Sequence, residues 1–193
     1  MRGRLWLHYF TKVIQSEYSR DAEMSDTQWT KFMRRVMDKV SEKMNCYVAR
    51  LRPEDKEDSG EYLNIDAIFI DKAEYELVTS RELDPFALPR AVVELENSYD
   101  ADRISYDLWK TLCVRAPIRV LICYQKGADK VTLLRQRLES VIWSGSLMKG
   151  TDSDLLVIIG DDSLGDKSWG EYFNVFEWRK DGLEKMEVPD WSK

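Results

Sequence analysis

Residues 90 to 124 constrain the fold more than any other stretch of the chain. "RAVVELE" is a short apolar run, "DADRISYDLWKTLCVRA" carries apolar residues at helical spacing, Pro117 stops it, and "IRVLICY" is a second apolar run. A strand joined to another strand through a helix must cross over one face of a sheet, so helices have to cover that face. The rest of the chain is read around this unit. Ser25 and Gln28 fit a capping box, and Trp29, Phe32, Met33, Val36, Met37, Val40 and Met44 then recur on one helical face. "CYVARLR" (46 to 52) alternates like a strand, "PEDKEDSGE" is a charged turn, and "YLNIDAIFI" (62 to 70) is apolar on both faces apart from Asn64 and Asp66, as an interior strand is.

A polar, Pro-containing connection leads to "RAVVELE", and the following helix takes Asp100 or Asp102 as its cap. A third helix, "ADKVTLLRQRLESVIWSG", stops at Gly145, and "DLLVIIG" and "YFNVFEWR" supply two late strands on either side of the loop "DDSLGDKSWGE". The tail from Asp181 is polar and expected to be peripheral. Residues 1 to 24 stay open between a short outer helix and an extra strand. No repeat or linker divides the chain. The expectation is one α/β domain over residues 1 to 193, with a mixed central β-sheet flanked by helices.

At 193 residues the chain can bury a sizeable core. With 44% hydrophobic and 33% charged residues it has the balance of a soluble globular protein, and no apolar run approaches the roughly 20 residues that cross a bilayer. The start "MRGRLWLHYF" is broken by His8, Thr11 and Lys12 before a secretory core forms, so a cytoplasmic location is expected. Cys46, Cys113 and Cys123 lie far apart without C-x-x-C spacing, and read as buried free thiols rather than zinc ligands or a disulfide. A net charge of −6 gives no long-range attraction for phosphate backbones, so any nucleic-acid surface must be local.

Alternate residues of a strand share a face, so Glu94 and Glu96 point the same way, and pairing of 62 to 70 with 90 to 96 sets Asp66 beside Glu94. Burying such acids together raises their pKa values through desolvation and repulsion unless a positive charge compensates. Hard oxygen donors at this density suit Mg²⁺ or Mn²⁺. The plain structural explanation is that the glutamates sit on the wet face of an edge strand and pair with Arg90 or Arg103, while Asp66 caps a turn.

"IDAIFI", "VVELEN", a helix and "RVLICY" together resemble the core of the PD-(D/E)xK nuclease superfamily, the restriction endonuclease-like αβββαβ fold, over roughly residues 25 to 125. The resemblance implies a metal-dependent endonuclease that hydrolyses phosphodiester bonds, of DNA in the first instance. Asp66 takes the first acid's place and Glu94 the second, holding Mg²⁺ with the Leu95 carbonyl. Glu96 stands where the family usually has a lysine. Some restriction endonucleases of this fold are similar in carrying ExE, in which the second glutamate acts as a general base or binds a second metal. Two alternatives are that Lys110, from the next helix, enters the site, or that the site is inactive. Asn97 reads as the end of the strand, and Glu42 or Glu23 on or near the early helix are weaker candidates for an added acid.

Arg103 and Lys110, seven residues apart on the helix after the acids and so about two turns apart on nearly one face, are the expected phosphate contacts. Arg135 and Arg137 read as a solvated helix face. Of seven tryptophans, Trp29 and Trp109 fit core positions, while Trp169 and Trp178, with Tyr172, and Trp191 near the tail, are candidates for stacking on bases or for a partner surface. His8, the single histidine, has a structural role by default. A homodimer would suit double-strand cutting. Two other readings compete: an inactive protein of the same fold that binds nucleic acid or a protein partner, and an unrelated interaction domain whose acids make salt bridges.

Overall fold

Every residue of strand β4, Ile118–Gln125, is buried, as a strand covered on both faces must be. The computed structural model describes residues 2–17, 24–49, 64–79, 88–148, 151–164, 168–180 and 182–187. The charged turn at 53 to 61, the start of the strand expected from 62, Glu23 and Trp191 lie outside the described residues. Within them the chain runs α1 (Arg2–Glu17), α2 (Asp26–Lys43), β1 (Cys46–Ala49), β2 (Ala67–Asp71), α3 (Lys72–Thr79), β3 (Ala91–Glu96), α4 (Ala101–Cys113), β4, α5 (Ala128–Gly145), β5 (Asp154–Asp161), α6 (Trp169–Tyr172), β6 (Phe173–Arg179) and β7 (Gly182–Lys185).

The strands form one seven-stranded sheet in chain order. β3, β4 and β5 are parallel, and the pairs outside them are antiparallel. This is the mixed sheet that the crossover predicts.

Side-chain alternation divides the core into two layers. Ile118, Val120, Ile122 and Tyr124 of β4 pack with Trp6, Phe10, Phe32, Met33 and Val36 from α1 and α2, whereas Leu121 and Cys123 pack with Ile104, Leu108, Leu134 and Leu138 from α4 and α5. Both crossover helices therefore lie on one face, as two crossovers of one hand moving the same way along a sheet must. The open question about residues 1 to 24 resolves as a helix over residues 2 to 17: Trp6, Leu7, Phe10, Val13 and Ile14 are buried at helical spacing, with Trp6 stacked on Phe10. Ser25 and Gln28 form the expected capping box, and Asp100 caps α4 by accepting from the Asp102 N–H.

Four expectations need correction. β2 begins at Ala67, and Asp66 lies in the bend before it, because its carboxylate accepts the Leu95 N–H at 2.9 Å and so takes the place of a ladder carbonyl. The connection after β2 opens with the short helix α3, whose first amides donate to Asp71, the last residue of the preceding strand. Residues 182–187 are no peripheral tail: β7 closes the sheet and Leu183 is buried against the α5 layer. Cys46 and Cys123 are buried free thiols, but Cys113, at the end of α4, is exposed.

Candidate active site

β3 directs Ala91, Val93 and Leu95 into the α1/α2 layer, and Val92, Glu94 and Glu96 therefore face α4. Glu94 is 1% exposed. The β2–β3 register sets Ala67 against Val93, which brings position 66 opposite Glu94, and each carboxyl is near enough to act on the other's charge. A carboxyl pair of this kind holds together only while one member is protonated or a cation stands nearby.

Lys110 supplies a cation from α4. Its ammonium lies 2.9 Å from Glu94 Oε1 and 2.9 Å from Asp107 Oδ1, donates to the Asn64 carbonyl at 3.0 Å, and the residue is only 8% exposed. Burial and then the Asp66 charge push the Glu94 carboxyl up to about 9, with Lys110 working in the opposite direction. Burial alone would lower Lys110, but Asp107 and Glu94 outweigh it and the ammonium is held above its ordinary value.

Glu96 sits one pleat further on, where β3 ends. It accepts the Ser98 N–H at 2.6 Å, and the Asp107 carboxyl is near enough to act on its charge. Its pKa is raised, first by burial; the Ser98 N–H opposes this, Asp107 adds to it, and Arg103 pulls it back down. Arg103 is exposed at the rim. The result is two carboxyl pairs, Asp66 with Glu94 and Glu96 with Asp107, joined through Lys110. Three carboxylates meeting at one point were expected. Among the described residues, no three Asp, Glu, His or Cys side chains gather around one ion position.

Two carboxylates nevertheless match what Mg²⁺ asks of a protein, since it fills its remaining positions with water and substrate phosphate. The nearness of the Glu94 and Asp66 carboxyls is the observation that fits such an ion, while Glu94 Oε1 already has the Lys110 ammonium beside it at 2.9 Å. Asp107 was missed in the sequence. Its signal was its place on α4, four residues after Arg103 and three before Lys110, on the helix stripe that also carries both cations.

Asn97 ends β3 and donates to Thr30 Oγ1 at 2.8 Å, tying the strand to α2. Glu42 and His8 are exposed, and the part of α2 that overlooks Asp66 and Leu95 runs from Thr30 to Met37. Arg135 is not merely solvated: it pairs with Glu139 and donates to the Leu183 carbonyl at 3.1 Å, while Arg137 pairs with Asp102. Trp169 is not a free stacking surface; it is buried between Trp29 and Phe173 in an aromatic cluster with Tyr172. Trp178 packs edge-on against Trp143.

A scan against protein-family models and searches of curated proteins and of solved structures find no match to this chain. Among the described residues, no helix is long and apolar enough to cross a membrane.

Proposed function

We propose that the chain is a divalent-cation-dependent nuclease of the restriction endonuclease-like kind, hydrolysing phosphodiester bonds, with DNA as the first substrate to test. The observation that carries the reading is the position of Lys110. The motif lysine is replaced by Glu96, and an ammonium reaches Glu94 from the neighbouring helix instead, at 2.9 Å. In this reading Asp66, Glu94 and the Leu95 carbonyl hold Mg²⁺ or Mn²⁺, which when bound neutralises phosphate charge and favours ionised water.

The chain's own groups do the rest. Lys110 faces the charge that gathers on the phosphate oxygens. Glu96, its pKa raised by burial, is the general base: it takes a proton from the attacking water as the new O–P bond forms. The ester P–O bond breaks with its electron pair on the leaving oxygen, which is protonated from solvent. Arg103, at the rim, contacts a neighbouring phosphate. Cytoplasmic location and a homodimer cutting both strands belong to the same proposal.

One observation favours the alternative, an inactive protein of this fold that binds nucleic acid or a protein partner: Lys110 already offsets the charge of Glu94. Incubation of plasmid and single-stranded DNA with Mn²⁺ separates the two. The nuclease reading expects cleavage that Asp66→Ala and Glu94→Ala each abolish. Equal cleavage by the variants, or none by a folded wild type, sinks it.

A further inference from the structure

Beside the acid cluster, α4 presents an aromatic surface that the core does not use. Tyr106 is 54% exposed, and its ring stacks on Trp109 with centroids 5.6 Å apart and 27° between planes. One exposed tyrosine is ordinary on a protein surface. Its neighbour sets this one apart. The Lys110 ammonium that touches Glu94 lies 5.7 Å from the Tyr106 ring centroid.

Helix geometry arranges the rest. Arg103 and Lys110 lie within about 20° of each other around α4, and Tyr106 is only about 60° further round, on the side toward solvent. Lys110 is buried among Glu94, Asp107 and the Asn64 carbonyl, so a phosphate meets the exposed Arg103, three residues before Tyr106 on the helix, and brings its base to the tyrosine. Base stacking on an aromatic ring tolerates any sequence, and it depends less on net charge than backbone contacts do, which suits a chain of charge −6. Bases inside a duplex are stacked on each other and cannot use such a platform unless they are turned out.

We infer that Tyr106, supported by Trp109, is a stacking platform for an unpaired nucleotide, so that the polymer at this site is single-stranded nucleic acid or a locally unpaired strand. Why a nucleic acid should come to this place rests on the nuclease reading above. The platform itself is open to test without metal or cleavage. Fluorescence anisotropy of labelled oligo(dT) and oligo(U), and of the dT strand annealed to oligo(dA), is measured in chelator.

Wild type is expected to bind the single strands more tightly than the duplex. Tyr106→Ala should weaken single-strand binding about tenfold, and Tyr106→Phe should retain it, because stacking on one aromatic ring is worth that much. Circular dichroism of Tyr106→Ala, unchanged from wild type, separates lost stacking from lost folding. Unchanged single-strand binding by Tyr106→Ala, equal loss in Tyr106→Phe, or preference for the duplex overturns the inference. Cleavage is scored separately. A wild type that cuts while Tyr106→Ala binds normally overturns this inference alone, whereas a wild type that binds through Tyr106 and cuts nothing keeps it and overturns only the nuclease reading.

Discussion

Glu94 gives up water on every side and gains one cation and one carboxyl neighbour. That balance has a pH signature. Its folded pKa is raised from 4.5 to about 9, so between those values the folded chain holds a proton that the unfolded chain has lost. Stability then falls as pH rises through this window, since the unfolded state binds fewer protons there. Urea unfolding at several pH values should show that decline in wild type and a flatter profile in Glu94→Gln; parallel profiles would contradict the account. Lys110→Met keeps the apolar stem and removes the charge, and is expected to lower cleavage by at least about a hundredfold while the chain stays folded. Single-turnover cleavage measures it, and an unchanged rate would remove Lys110 from the site. Glu94 and Asp66 were legible from alternation and register alone. Asp107 was not, because an acid on a helix reads as solvated until the strand it faces is known.

Elements whose signals are local were the most legible. The capping box of α2 needs only Ser25 and Gln28, and loss of such a cap costs about 1 kcal/mol, so Ser25→Ala should lower the unfolding free energy by that amount, read as a fall in the denaturant midpoint. A midpoint that does not move would mean the box contributes nothing. β2 and α3 were harder. The pattern of 62 to 70 reads as one long strand, yet Asp66 uses its side chain on the Leu95 amide and the strand starts after it, while the cap of α3 is the last residue of β2. Side chains that bond to backbone override periodicity, and single-sequence patterns do not register them. In β5, Gly160 allows a close approach: a Cβ there would lie 2.6 Å from the Tyr124 ring and 2.8 Å from the Tyr172 ring. Gly160→Ala is therefore expected to cost about 1 to 3 kcal/mol, read by the same unfolding assay. An unaffected midpoint would show that the rings can move aside.

Across the whole molecule, the sheet order follows the chain order, with a parallel centre and antiparallel wings. The crossover at 90 to 124 made the centre predictable, and the strand patterns indicated six of the seven strands. β7 was missed because four residues with a single buried leucine carry no period, although Leu183 bonds through its own N–H and carbonyl to Glu139 and Arg135 of α5. The candidate site sits where the parallel centre meets its first antiparallel neighbour, so β2, β3 and α4 each contribute to it. Sequence spacing indicated which acids would meet, but not that Glu96 would turn to Asp107. The central claim is that Asp66 and Glu94 together form a divalent-cation site. Calorimetric titration of Mn²⁺ tests it most directly: one binding event in wild type, lost in both Asp66→Asn and Glu94→Gln while the fold persists, is the predicted result. No heat of binding in folded wild type, or equal binding by both variants, would contradict it.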